Sequence, residues 1–170
     1  MKITDNFLSD DEFKSIQDWF TGESFHWYYN NSIAGNKQGL DQFQFVHPFY
    51  DVAKPSLNKF SSFLYPFLTK LNAKYIFRIK ANLRPRTSTA VLSDFHTDMS
   101  LNQQTGIFYI NTNNGYTKFK DDSTVPSVAN RFLTFSGDLE HCGASSTDTN
   151  SRIVLNINYI PSWIGIRLPS

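Results

Sequence analysis

A chain of 170 residues, 40% apolar and 18% charged, is expected to form one folded domain, residues 1–170, and is excluded from the disordered class. Sixteen basic and fifteen acidic residues leave a net charge of +1, which disfavours a protein built to grip nucleic acid or an anionic membrane. The single cysteine, Cys142, excludes an internal disulfide and any cysteine-based zinc or iron–sulfur framework. With no apolar leader after Met1 and no run of about 18 apolar residues, the expected location is cytoplasmic, with no membrane partner.

In chain order, Ser9 can cap a first helix. Asp10, Asp11 and Glu12 suit the positive end of its dipole, Phe13, Ile16, Gln17 and Phe20 form its stripe, and Gly22 ends it. Residues 25–29 read as a strand, 30–39 as a polar loop and 42–46 as a second strand. A longer helix is expected over 54–71, with Leu57, Phe60, Leu64, Phe67, Leu68 and Leu71 on one face. Pro55 suits its first turn, and Pro66 should kink it.

From residue 75 the texture becomes β-rich, with strands expected over 75–83, 91–98, 106–111, 116–120, 131–135 and 151–160. Asn113-Asn114-Gly115 is a turn signal among them. Short strands at this spacing suggest a mainly β fold, a sandwich or a jelly roll, whose N-terminal helices cover one sheet. Residues 1–74 would then be support and 75–160 the core. The last strand is consistent with this. Ile153, Leu155, Ile157 and Tyr159 fall on one face, and Arg152, Val154, Asn156 and Asn158 on the other. That second face is too polar for a barrel interior unless it lines a pocket. The polar loops 30–39 and 120–126 are candidate lids over its mouth.

Of four histidines, His96 stands in Asp94-Phe95-His96-Thr97-Asp98, where positions i and i+2 of a strand share a face, so His96 and Asp98 can reach one metal ion. His141 follows 43 residues after Asp98, and Arg152 eleven residues later. Two histidines and one carboxylate are the facial triad of non-haem Fe(II) oxygenases, which leaves positions open for a bidentate 2-oxo acid and for dioxygen. The fork of Arg152 suits the far carboxylate of such a co-substrate. His26 and His47 sit in aromatic strands and read as non-ligands. Cys142 reads as a small buried residue.

These residues resemble the Fe(II)/2-oxoglutarate-dependent dioxygenases, in particular the prolyl-4-hydroxylase-like branch. The resemblance covers about 75–160: His96-Thr97-Asp98, then Gly106-Ile107-Phe108-Tyr109-Ile110-Asn111, Gly115-Tyr116-Thr117-Lys118-Phe119, and Phe135-Ser136-Gly137-Asp138-Leu139-Glu140-His141 with Arg152. It implies a double-stranded β-helix with catalytic metal ligands His96, Asp98 and His141. It implies Fe(II) and 2-oxoglutarate as cofactor and co-substrate, and ascorbate as an accompanying reductant. Arg152, Tyr109 and Asn156 would bind the co-substrate, with Asn82 and Arg84 as further pocket candidates and Thr117 structural. The implied activity is hydroxylation of a C–H bond with release of succinate and CO2, a peptidyl, prolyl-type substrate being the first expectation and a small metabolite the second. Two departures weaken prolyl specificity: Val154 stands where many relatives have Ser or Thr, and Arg152 where collagen-type enzymes have lysine. The contrasting reading is a non-catalytic jelly-roll binding module with a vestigial metal site.

Overall fold

The computed structural model describes residues 1–33, 42–55, 61–98 and 103–162. Ten strands and two helices are described: β1 (Lys2–Thr4), α1 (Asp10–Thr21), β2 (Tyr28–Asn30), β3 (Gln44–Asp51), α2 (Tyr65–Leu71), β4 (Ala73–Pro85), β5 (Gln104–Tyr109), β6 (Tyr116–Phe119), β7 (Thr124–Pro126), β8 (Phe132–Ser136), β9 (His141–Gly143) and β10 (Ser151–Pro161). Seven form a large sheet in the order β1-β8-β5-β10-β4-β3-β2, and three form a small sheet, β7-β6-β9. All pairings are antiparallel. The mainly β jelly roll with helical support expected from the sequence is the architecture found. None of the described helices is long and apolar enough to cross a membrane.

The period of two along the central strands divides the molecule into layers. On β10, Ile153, Leu155, Ile157 and Tyr159 turn outward into a core shared with Ile16 and Phe20 of α1 and Phe67 and Leu71 of α2. On β5, Phe108 joins that outer core. Ile107 and Tyr109 turn inward to a second core with Phe119, Val125, Leu133, Phe135 and Val154, between the two sheets. The aromatic load is spent largely on the helix side, where Phe7, Phe67, Phe108 and Phe132 pack ring against ring at centroid distances of 4.6–6.4 Å.

α1 begins as its sequence dictates. The Ser9 amide and hydroxyl both donate to Glu12 Oε2, at 3.1 and 2.8 Å, and Gly22 follows its last residue. The expected second helix is shorter. Of 54–71, residues 56–60, with Leu57 and Phe60, lie outside the described residues. Ser61 leads into a single 3₁₀ turn, Ser62–Leu64, and α2 starts only at Tyr65. Pro66 sits in the first turn of α2, where no amide donor is needed, so it starts this helix and does not kink it. Asn72, at φ 49°, ends it in the left-handed conformation.

Three more differences concern strands. Residues 91–98 do not form a continuous strand, and meet their neighbour through two single bridges, Leu92 with Ala144 and His96 with His141. Residues 120–126 are not an open loop, and none of them is among the residues that line the cavity. They close a hairpin in which Phe119 N–H donates to the Ser123 carbonyl, and Thr124–Pro126 is β7. β1 was not foreseen, since three residues carry too little pattern to read.

Candidate metal and co-substrate site

His96 and His141 face one another across a bridge of two backbone hydrogen bonds. His96 N–H donates to the His141 carbonyl at 3.0 Å, and His141 N–H to the His96 carbonyl at 2.9 Å. Residues paired in this way put their side chains on one side, and the two imidazole centroids lie 4.6 Å apart. Each ring donates Nδ1–H to a carbonyl two residues back: His96 to Asp94 at 3.1 Å, His141 to Leu139 at 3.0 Å. A carbonyl can only accept, so the neutral rings carry their protons on Nδ1 and present bare Nε2 atoms. His96 Nε2 is 3.9 Å from Asp98 Oδ1. One ligand atom from each of His96, Asp98 and His141 lies within 4.8 Å of the others, a spacing that suits a single metal ion.

The surroundings keep these groups in the states a cation requires. Burial opposes ionisation of Asp98, but the Arg78 guanidinium at 3.1 Å, His141, Asn158 and His96 outweigh it and hold the carboxyl below the ordinary carboxylate range. Thr105 Oγ1–H and Asn158 Nδ2–H both donate to Asp98 Oδ2, at 3.2 and 3.1 Å. Burial lowers the His141 pKa and so favours its neutral ring.

The three side chains line a cavity of about 410 Å³ between the sheets. Arg152 and Arg84, each only 5% exposed, line it too. Arg152 Nε–H donates to Ser127 Oγ at 2.8 Å and its Nη2–H to Thr117 Oγ1 at 3.2 Å. Arg84 Nη1–H donates to the Gly143 carbonyl at 2.7 Å, while its Nη2 is buried with no partner among the described residues. Asp148 is not the partner of Arg152, for its carboxylate accepts from the Asn114 amide. Burial, with Arg152 nearby, pushes Arg84 down to about 10, and burial lowers Arg152 as well. An orphaned guanidinium nitrogen beside a second buried guanidinium fits an absent carboxylate.

Asn156 and Asn82 also line the cavity. Tyr109 is fully buried and is not among the lining residues. Its hydroxyl bonds Thr117 Oγ1 at 2.8 Å, and the Arg152 guanidinium lies 5.6 Å from its ring centroid. Its connection to the cavity therefore runs through Arg152 and Thr117. His26 and His47 stay apart from the triad; His47 stands in an aromatic cluster with Phe25 and Phe49, and its Nδ1–H donates to the carbonyl of the exposed His26 at 2.7 Å.

Sequence reasoning missed Arg78 and Thr105, which hold Asp98, and Ser127, which holds Arg152, and it placed Asn158 on the polar face without giving it a part in holding Asp98. It also gave Thr117 no part in the pocket. A usable signal was the alternation Arg78-Lys80-Asn82-Arg84 opposite the polar face of β10. Of the expected lid 30–39, residues 34–39 lie outside the described residues. Asn30, Ser32 and Ile33 line the cavity.

No family model matches the sequence, and no match to a curated protein was found. The fold is similar to that of several solved structures. A prolyl hydroxylase from Trichoplax adhaerens, in complex with a hypoxia inducible factor oxygen degradation domain peptide, is 14% identical with a TM-score of 0.59, over 94% of this chain and 82% of that one. A Pseudomonas putida prolyl-4-hydroxylase is 12% identical with a TM-score of 0.62, over 95% and 92%. The non-heme alpha-ketoglutarate-dependent epimerase SnoN from nogalamycin biosynthesis is 12% identical with a TM-score of 0.64, over 94% and 75%. SnoN is also known in complex with Fe3+, alpha-ketoglutarate and nogalamycin RO. The chain shares the jelly-roll fold of the 2-oxoglutarate-dependent oxygenases.

Proposed function

We propose that this protein is an Fe(II)- and 2-oxoglutarate-dependent dioxygenase that hydroxylates a C–H bond and releases succinate and CO2. The observation that carries the reading is one cavity that joins the His96, Asp98 and His141 ligand atoms to two buried arginines with no acid paired to them among the described residues. His141 and Gly143 share a face of β9, about 7 Å apart along an extended strand, and the Gly143 carbonyl is held by Arg84. A five-carbon 2-oxo diacid spans such a gap.

A bound ferrous ion would supply the redox chemistry, coupling reduction of dioxygen to decarboxylation of the 2-oxo acid. The chain's own part is positioning. The two Nδ1–H bonds fix the imidazoles, Arg78, Thr105 and Asn158 fix the Asp98 carboxylate, and Asp98 offsets part of the metal's charge. Arg152 and Arg84 would receive the far carboxylate, with Ser127, Thr117 and Tyr109 holding Arg152 in place. Asn156, whose Oδ1 is buried without a partner among the described residues, would meet the co-substrate along its length. Ile107 and Val154 give the cavity its apolar patches and limit water there.

The Trichoplax adhaerens prolyl hydroxylase, in complex with a peptide, supports a peptide substrate, and SnoN, bound to nogalamycin RO, supports a small molecule. The test is turnover. Protein supplied with Fe(II), 2-oxoglutarate and air should form succinate, even without its substrate, at a slow uncoupled rate. A binding module with the same site would take up metal and form none.

A further inference from the structure

The charges that line the cavity do not balance. β4 turns one face to it, with Arg78, Lys80, Asn82 and Arg84 at alternate positions, and Arg152 adds a fourth cation from β10. Among the described lining residues, Asp98 is the one carboxylate. A divalent metal ion and a doubly charged 2-oxo diacid cancel one another, so the excess of positive charge stands when both are bound.

The cations differ in what occupies them. Arg78 donates to Asp98 at 3.1 Å, and Arg84 and Arg152 form the carboxylate end described above. That leaves Lys80, which stands opposite Asn156 on β10 and Pro48 on β3. Toward β2 and β3 the wall is made by Asn30, Ser32, Ile33 and Gln44, all uncharged, and the pairing of Phe45 with Leu83 and of Asn30 with Gln44 places it at the Arg84 end of β4. Burial, together with Arg78, lowers the Lys80 ammonium to about 8, with Asp98 and Asp51 offsetting part of the effect, so it is still mostly charged at pH 7. A cation held at such a cost is repaid by an anion that reaches it.

We propose that the primary substrate is a small acidic molecule whose carboxylate or phosphate group is received by Lys80 on the β3 side of the cavity. This rests on the co-substrate reading above, which accounts for the two arginines. Asn156, the cross-strand partner of Lys80, would bond a hydroxyl or amide group of the same molecule, and a cavity of about 410 Å³ is the size of a small-ligand site. A peptide backbone would bring uncharged amides to this wall and leave the excess charge unmet.

The test uses Mn(II)-loaded protein saturated anaerobically with 2-oxoglutarate, with paramagnetic broadening of probe protons as the readout. The probes are matched pairs, 4-hydroxybutyrate with 4-hydroxybutyramide and glycerol 3-phosphate with glycerol, and an end-blocked pentapeptide bearing one glutamate. The expected result is that at least one small acid binds ten-fold or more tightly than its neutral partner. The two pairs distinguish carboxylate from phosphate. Binding should weaken at least ten-fold in Lys80→Gln and return in Lys80→Arg, while the 2-oxoglutarate midpoint of Lys80→Gln stays within two-fold of the wild type. No acid bound, acid and neutral partner bound alike, an unchanged acid midpoint in Lys80→Gln, or binding of the peptide alone would each overturn the proposal. A wild-type protein that takes up metal but no 2-oxoglutarate would overturn the co-substrate reading instead, and this is seen before any probe is added.

Discussion

Arg84 and Arg152 are direct cross-strand partners on β4 and β10, two buried like charges with no carboxylate beside them among the described residues. Like charges opposite one another destabilise a sheet, and buried charges without counterions do so more strongly. Their hydrogen bonds run to the Ser127 and Thr117 hydroxyls and the Gly143 carbonyl, all neutral groups. An anion bound between them would relieve both penalties.

Replacing either arginine should therefore separate affinity from stability. Arg152→Ala should weaken 2-oxoglutarate binding by ten- to a hundred-fold or more, since a charge-assisted hydrogen bond contributes roughly 1.5–3 kcal/mol. Arg84→Met should weaken it in the same direction and raise the thermal midpoint of the apoprotein. Metal affinity should be nearly unchanged in both. Anaerobic titration and apoprotein melting curves check the two halves.

Gly115 makes room for this arrangement. A Cβ there would lie 2.7 Å from Arg152 Cδ and 2.8 Å from Asn113 Oδ1. Gly115→Ala should push Arg152 aside and weaken 2-oxoglutarate binding several-fold while metal binding holds. Equal midpoints in mutant and wild type would show that Arg152 can yield without loss.

Asn158 bonds both Asp98 and Thr105 from β10. Asn158→Ala removes a partner that orients a metal ligand, and such partners typically contribute 10–100-fold in metal affinity or activity. Isothermal titration with Mn(II) or Co(II) should show a loss of that order. Asp98→Ala should lose far more.

Lys80 gives a pH signature. Its folded pKa, about 8, is below the ordinary 10.5, so the folded state resists its protonation. The penalty is fully present below pH 8 and disappears as the pH rises through 10.5, where both states are neutral. Lys80→Met should therefore be more stable than the wild-type apoprotein at pH 7, and its advantage should shrink between pH 8 and 10.5. Denaturant melts at pH 7, 8.5 and 10 would show a constant difference if Lys80 were well solvated.

The sequence carried the triad because two of its members sit two residues apart, and because a polar stripe interrupts an otherwise apolar last strand. The outer face of β10 was legible for the same reason: Ile153, Leu155 and Ile157 repeat with period two and meet Phe67 and Leu71 as expected. What was not legible came from contacts distant in sequence. Arg78 reads as a surface cation until β4 pairs with β10 and turns it toward Asp98. Ser127 bonds Arg152 across 25 positions with no local pattern to announce it. Pro66 was misread because a proline inside an apolar period looks like a kink, whereas here the helix begins there. Residues 91–98 look like a strand by composition, yet only Leu92 and His96 pair.

On the proposed function, one cavity holds both the metal and the 2-oxo acid. The most direct measurement is anaerobic titration of the Fe(II)-loaded protein with 2-oxoglutarate, followed by the charge-transfer absorbance of the chelate, with succinate assayed after air is admitted. A saturable absorbance is expected, its midpoint raised at least ten-fold in Arg152→Ala, with succinate formed in air. An Fe(II)-loaded protein that develops no such absorbance at millimolar 2-oxoglutarate would contradict that reading.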